Sequence, residues 1–362
     1  MKKAIPVLLV VFTISALISG VSSACTNFII KAKDKTVVEG RSMEFPVDLH
    51  SRLWVVPRGE KRVTYDDNGI QGISWTSKYG FLGVDTAGVP DMISDGVNEN
   101  GLSVSGLMFP GASYQPAVPG KFIALTDIGT WILGSFGSVE EIKAELPKVN
   151  VFGSYVKNMK QVPGMHVAAH DAKGNSIVIE FIDGQTLIYD NPVGVMTNQP
   201  DFKWQMNNLR NYLNLTANDQ EPKILNGVKI EATGVGSGML GLPGDWTPPS
   251  RFVKVALCVD SALLPNNAPE AVNLAEHILN AVDIPMGAIK ENPAPSVTLY
   301  GHAQWVLIKD LTNRVINYRT YNNTRWKSVD LKTFDLTPGS PKKSIAFDNT
   351  ISPATNVSGQ LK

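Results

Sequence analysis

Cysteine is nearly absent: Cys25 and Cys258 are the only two in 362 residues. Two cysteines allow at most one disulfide. There is no Cys-x-x-Cys, no His-Glu-x-x-His and no His/Cys cluster at ligand spacing, so the common zinc motifs are excluded and neither metal nor cofactor is expected. Charge is sparse and balanced, with 33 basic and 33 acidic residues, a formal net charge of zero and 18% charged positions. Such a surface has no basic footprint for nucleic acid. Long apolar runs are missing too. The longest, Ala4 to Leu17, is shorter than the roughly 20 residues that span a bilayer. The Gly-rich stretch from Gly234 to Gly244 has no Gly-Lys-Ser/Thr after it, which argues against a phosphate loop. No repeat, low-complexity linker or charge block divides the chain, so one domain over 25–362 is expected.

What is present begins at the N-terminus. Lys2 and Lys3 precede the apolar run, and Val21-Ser22-Ser23-Ala24 puts small residues at −3 and −1 of a cleavage point. This is the pattern of a secretory signal peptide over 1–24, and it predicts a periplasmic or secreted protein with no stable membrane span. Cleavage after Ala24 removes two lysines and no acids, which takes the net charge to −2. The new first residue is Cys25, whose thiol and free α-amine place a nucleophile and a base on one residue. The alternative is a lipoprotein signal in which Cys25 is acylated. Such signals usually carry Leu, Val or Ile at −3, where Ser22 stands here. Cys258 lies in an apolar helical run, Arg251 to Asp260, and reads as a buried, inert thiol.

The rest of the chain alternates blocks of strands with pairs of helices. Cys25–Ile30 and Thr36–Phe45 read as strands joined by the polar turn Lys33-Asp34-Lys35. The hairpin returns Arg41 and Glu44 toward Cys25, with Glu44 pointing mostly to the face opposite Arg41 unless the strand kinks. Strands continue through 51–59, 74–84 and 102–109, with Asp95 to Leu102 read as a turn. Helices are expected in 122–146, with Ser138 as N-cap and Glu141 at N3. Strands then cover 165–170, 176–182 and 186–196, helices 201–215, 249–264 and 268–283, and strands again 297–334. Antiparallel runs with segregated helix pairs predict an α+β layered fold. His166, His170 and His302 fall in strand-like apolar runs and read as packed or hydrogen-bonded.

Cys25-Thr26, followed by Gly40-Arg41-Ser42-Met43-Glu44, resembles the opening of the choloylglycine hydrolase/penicillin V acylase family of N-terminal-nucleophile (Ntn) hydrolases. The likeness continues in order through Asp95-Gly-Val-Asn-Glu-Asn-Gly-Leu102, Gly106-Leu-Met-Phe-Pro110, Val195-Met-Thr-Asn-Gln-Pro200 and Gly241-Leu-Pro-Gly-Asp-Trp-Thr-Pro-Pro-Ser-Arg-Phe252. It implies a four-layer αββα sandwich and hydrolysis of a linear carbon–nitrogen amide. It also implies Cys25 as nucleophile, Arg41 and Arg251 lining its pocket, Asn198 binding the oxyanion, and the backbone at Met108 assisting. Two positions depart: Glu44 stands where the family usually has Asp, and Met108 where its members carry Asn or Tyr. Met43, Trp54, Trp75 and Phe109 are candidate pocket walls for a small acyl-amide substrate. The resemblance implies a homotetramer. It leaves conjugated bile acids, penicillin V and acyl-homoserine lactones open as substrates. A lipid-anchored binding protein on the same scaffold is the reading from another class.

Overall fold

The computed structural model describes residues 24–294 and 296–361, so all of the proposed leader except Ala24 lies outside the described residues. Two strands after Cys25 set the architecture. β1 (Thr26–Lys31) and β2 (Val37–Phe45) form the expected hairpin, with Asn27 opposite Arg41 and Thr26 opposite Ser42. Its turn closes through an N–H donated by Ala32 to the Thr36 carbonyl at 2.8 Å, and Lys35 takes a left-handed φ of 71° there.

The hairpin sits inside a seven-stranded sheet ordered Val195–Met196, β1, β2, Val297–Asp310, Val315–Thr320 and Lys327–Asp330, with Ile289–Ala294 also paired to the long strand. The second sheet has eight strands. Its order is Gln185–Asp190, Ser176–Ile182, Met165–His170, Ser103–Met108, Val89–Asn98, Phe81–Thr86, β3 (Arg52–Val56) and Lys343–Ala346. Neighbours in both sheets run antiparallel.

The helices make the outer layers. α1 (Ile128–Ser135) and α2 (Val139–Glu145) cover the second sheet. α3 (Phe202–Leu209) packs on α4 (Pro248–Ser261), which with α5 (Ala268–Asn280) covers the first sheet. This is the expected α+β order of helix, sheet, sheet, helix. Strand alternation assigns each side chain to a layer. In β3, Leu53 and Val55 join the core that holds Cys25, Leu82, Val84 and Leu107, while Trp54 and Val56 pack into the cluster under α1 with Trp131 and Ile132. No helix among the described residues is long and apolar enough to cross a membrane.

Several elements differ from the sequence reading, among them the expected strand 74–84, which divides into Gln71–Thr76 and Phe81–Thr86 in different sheets. Asp95 to Asn98 are not turn residues but the end of a strand paired on both sides; only Glu99 to Gly101 make the turn. Their polar side chains serve buried partners rather than water: Asn98 Nδ2 donates to the Leu133 and Phe136 carbonyls at the end of α1, at 2.9 and 2.7 Å. Phe122–Ala124 is a short strand parallel to Asn150–Phe152, so the helix starts later than the apolar pattern suggests. The segment 186–196 divides at Asn191-Pro192-Val193-Gly194, where Gly194 has a φ of 66°, and its two pieces join different sheets. Lys343–Ala346 closes an edge of the second sheet although every residue in it is exposed, a strand without an apolar signal. Ser138 does cap α2, accepting from Glu141 N–H at 3.3 Å.

Gly129 shows how closely the outer layer is set. A Cβ there would lie 2.0 Å from the Ile93 carbonyl oxygen. Alanine favours a helix over glycine by about 1 kcal/mol, but overpacking against rigid backbone typically costs about 1–3 kcal/mol. Gly129→Ala is therefore expected to lower the urea midpoint of unfolding. A raised midpoint would show that α1 can slide off the sheet without penalty.

Candidate active site

β2 is buried along all nine residues although it carries Glu39, Arg41 and Glu44. Charges so placed are tolerated only when paired and hydrogen-bonded, and the pairing comes mostly from the second sheet. Arg41 Nε donates to Asp95 Oδ2 at 3.2 Å and Nη2 donates to the Gly106 carbonyl at 2.8 Å. Its Nη1 donates to the Ser42 carbonyl, and the guanidinium lies over the Trp305 ring, 5.5 Å from the centroid. The planar fork is thereby fixed on its edges and one face. Asp95 Oδ1 accepts from Lys309, and Lys309 Nζ also pairs with Glu39 Oε1 at 2.9 Å. Ser103, Ser105 and Asn27 donate to the same carboxylates, and His170 Nε2 bonds Asn27 Oδ1 at 2.6 Å.

Cys25 lies fully buried at the head of β1, with its Sγ 3.6 Å from Met43 Sδ and 4.0 Å from the Glu44 carbonyl. Arg41 Nη2 lies 3.7 Å from the same Met43 sulfur, and its guanidinium is close enough to interact with the Cys25 thiol directly. A second arginine arrives from α4. Arg251 Nη1 donates to the Cys25 carbonyl at 2.5 Å and to Thr26 Oγ1 at 2.7 Å, and its Nη2 donates to Asn198 Oδ1 at 3.0 Å. Asn198 Nδ2 in turn donates to the Met108 carbonyl at 2.8 Å. A chain of hydrogen bonds thus runs from Cys25 through Arg251 and Asn198 to Met108. The long strand is irregular here: its register with β2 shifts between Ala303 and Trp305, and Gln304 Nε2 donates to the Phe45 carbonyl at 2.9 Å. Bulges of this kind often lie beside active sites and re-aim side chains.

The electrostatics follow from burial. For Arg41, desolvation opposes the charge, but Cys25, Asp95 and Glu44 together outweigh it and hold the group above its ordinary value. Arg251 is less compensated: desolvation, opposed by Glu44 and Cys25, takes it down to about 10. Desolvation pushes the Glu44 carboxyl up to about 7 against the pull of Arg251, Ser42 and Arg41. Glu39 goes the other way, because Lys309 and the Ser103 hydroxyl overcome its burial and keep it below the usual range. Burial raises the half-buried Cys258 thiol, so that cysteine favours its neutral form.

The residues expected to act together therefore meet: Cys25, Arg41, Glu44, Arg251, Asn198 and Met108 form one buried group, with Met43 beside both the thiol and Arg41. Glu44 answers mainly to Arg251, in keeping with its place on the strand face opposite Arg41. Phe109 is buried and stacks on His166 at 4.9 Å. Trp54 and Trp75 do not reach the site. Trp54 faces outward and donates to Asp85 Oδ2 at 2.7 Å, and Trp75 belongs to the separate hairpin of Lys61–Tyr65 and Gln71–Thr76; both pack on the α1 side. Strand alternation, fixed by Leu53 and Val55, decides this for Trp54.

The sequence reading missed Asp95, Glu39, Lys309, Ser103 and Ser105. A signal existed in Glu39 and Lys309, each a charge inside an apolar strand. His166 is packed and hydrogen-bonded, as expected. Its Nε2 donates to the Thr197 carbonyl at 2.8 Å and its Nδ1 lies 3.2 Å from Glu180, so it pins the segment that carries Asn198.

A thiol at the start of a strand, flanked by two buried arginines in an αββα sandwich, defines a linear-amide hydrolase on the Ntn fold. The sequence profile of linear amide C–N hydrolases, choloylglycine hydrolase family, matches residues 25–351. The chain belongs to the choloylglycine hydrolase family. It is 31% identical to a bile salt hydrolase/transferase of Clostridium perfringens over 335 residues, 91% of this chain and 98% of the relative. A penicillin V acylase of Pectobacterium atrosepticum is also 31% identical, over 52% of each chain. The crystal structure of a mutant conjugated bile acid hydrolase from Clostridium perfringens superposes with a TM-score of 0.80 at 30% identity, covering 92% of this chain and all of that one. Penicillin V acylase from Agrobacterium tumefaciens shares the fold, with a TM-score of 0.72 at 23% identity over 89% of this chain and 91% of that one.

Glu44 predicts a pH signature. The folded protein keeps its proton up to about 7 whereas an unfolded chain releases it near 4.5. Folded-state stability therefore falls through this window as pH rises, by at most about 3 kcal/mol. His170, which burial takes down to about 4, contributes the opposite slope, with stability lost as pH falls below 6.5. The informative quantity is the difference from Glu44→Gln. Wild type should lose stability relative to the variant between pH 4.5 and 7.5 in urea unfolding, and an unchanged difference would refute the assignment.

Proposed function

We propose that this protein is an exported amidase whose nucleophile is the Cys25 thiol, released with a free amine by cleavage after Ala24. The observation that carries the reading is the placement of Cys25: Sγ packs against Met43, and Arg251 holds the Cys25 carbonyl at 2.5 Å while bonding Asn198. The family match beginning at residue 25 supports the same start.

In this mechanism the Cys25 amine takes the thiol proton and the sulfur attacks the amide carbonyl, forming a C–S bond as the C=O electrons move to oxygen. Asn198 and the backbone near Met108 donate to that oxyanion. Aligned neutral donors in such sites contribute about 2.7–4 kcal/mol to the transition state. The amine then passes its proton to the leaving nitrogen as the C–N bond breaks. Water resolves the thioester. The Arg41 guanidinium interacts with the Cys25 sulfur, and a cation so placed stabilises the negative charge that sulfur carries as it attacks.

Met43 and Met108 share the core with Cys25, and their apolar side chains suit an apolar acyl group. Together with the bile salt hydrolase relatives, this favours a bile-acid-type or broad acyl-amide substrate over penicillin V or an acyl-homoserine lactone. The assembly in this reading is a homotetramer in the periplasm or outside the cell.

Cys25→Ala in the processed protein is expected to abolish hydrolysis of both glycocholate and penicillin V, and retained wild-type turnover would refute the nucleophile. A single residue added before Cys25 should abolish turnover by masking the amine, with the melting temperature nearly unchanged. The ratio of kcat/KM for the two substrates ranks the acyl classes. Intact mass separates the rival: an unmodified chain starting at Cys25 fits the amidase, and an acyl addition on that residue fits a lipid-anchored binding protein.

A further inference from the structure

Lys309 is a lysine with no exposed side-chain surface, in the strand Val297–Asp310. Its Nζ meets acceptors on every side: Asp95 Oδ1, Glu39 Oε1 at 2.9 Å, Ser105 Oγ at 3.0 Å and the Val104 carbonyl at 3.3 Å. Asp95 is divided between two cations, with Oδ1 on Lys309 and Oδ2 on Arg41 Nε at 3.2 Å. All four side chains are fully buried, so their fields are only weakly screened.

We infer that Lys309 is a positioning residue that sets the thiol–thiolate balance of Cys25 through Asp95 and Arg41. Burial raises the Asp95 carboxyl against the pull of Lys309 and Arg41; with it ionised the four charges cancel, two cations, Lys309 and Arg41, facing two anions, Glu39 and Asp95. Without Lys309, Arg41 is the one cation left to Asp95. More of the Arg41 field is then spent on that carboxylate and less is left for sulfur. With Lys309 in place, Glu39 and one oxygen of Asp95 are occupied, and Arg41 keeps part of its field for sulfur. The other charged groups near the thiol are Glu44 on β2 and Arg251 on α4, with Asp245 and Asp283 acting on those two. His170 on the second sheet faces Glu39 and is held neutral by burial. None of these hydrogen-bonds Lys309 Nζ, although Lys309 adds to the burial that takes His170 down. The inference rests on the reading of Cys25 as the reacting thiol.

The test uses processed full-length protein and follows the rate of Cys25 alkylation by iodoacetamide against pH, read by mass on the Cys25 peptide so that Cys258 does not interfere. The pH profile of kcat/KM for glycocholate is measured in parallel. Lys309→Met is expected to move the alkylation midpoint up by about one pH unit, within the usual range for loss of a nearby compensating charge. Adding Glu39→Gln to that variant restores neutrality and is expected to bring the midpoint back. Glu39→Gln alone leaves a surplus cation and should move it down, which keeps the inference testable if Lys309→Met does not fold. An unmoved midpoint in a folded Lys309→Met protein overturns the inference, as does failure of the double variant to recover or an upward shift in Glu39→Gln. The predicted shifts in a protein that cleaves no amide support the role of Lys309 while refuting the amidase. An active amidase whose alkylation ignores all three variants does the reverse.

Discussion

The two sheets of this protein are joined by charge as well as by apolar packing. Glu39, Arg41 and Lys309 from one sheet meet Asp95, Ser103 and Ser105 from the other, all without solvent contact. Such a cluster contributes little net stability compared with apolar residues of the same shape, because desolvation offsets most of the attraction. Removing one member is a different matter, since the charge left behind has neither water nor partner. The cluster therefore acts as a registration device. It tolerates one alignment of the two sheets, and in that alignment Arg41 stands beside Cys25.

The site is built at the end of this device. Arg41 approaches from the sheet interface and Arg251 from the helix layer, and each is held by several acceptors, so neither can rotate away. The two arginines differ in how much compensation they meet. Arg41 shares Asp95, whereas Arg251 is bonded mainly to neutral oxygens and is pushed down by burial. Glu44 lies between these influences with its carboxyl near 7. A site with charges of this kind is sensitive to a single proton at neutral pH.

Much of the fold was legible from periodicity. The strand and helix blocks, the polar turn after β1 and the cap of α2 follow from local propensity, and local propensity agrees with the tertiary result. The misreadings cluster where tertiary partners overrule local chemistry. Asp95 and Asn98 look like turn residues because they are polar, yet each is consumed by a buried partner on another element. Trp54 looks like a pocket wall because it is large and apolar, but its neighbours Leu53 and Val55 take the inner face.

The sequence alone determined that a cysteine stands at 25 after a run of small residues, that arginines stand at 41 and 251 and an asparagine at 198, and that the elements are ordered as an α+β chain. Those are properties of order and residue type, which the chain carries without folding. Only the tertiary structure decided that Lys309, far along the chain, shares a carboxylate with Arg41, and that Arg251 grips the carbonyl of Cys25 itself. The physical reason is that both contacts join residues more than 200 positions apart. Their energies depend on the exclusion of water between layers, and no local pattern in the sequence encodes that exclusion.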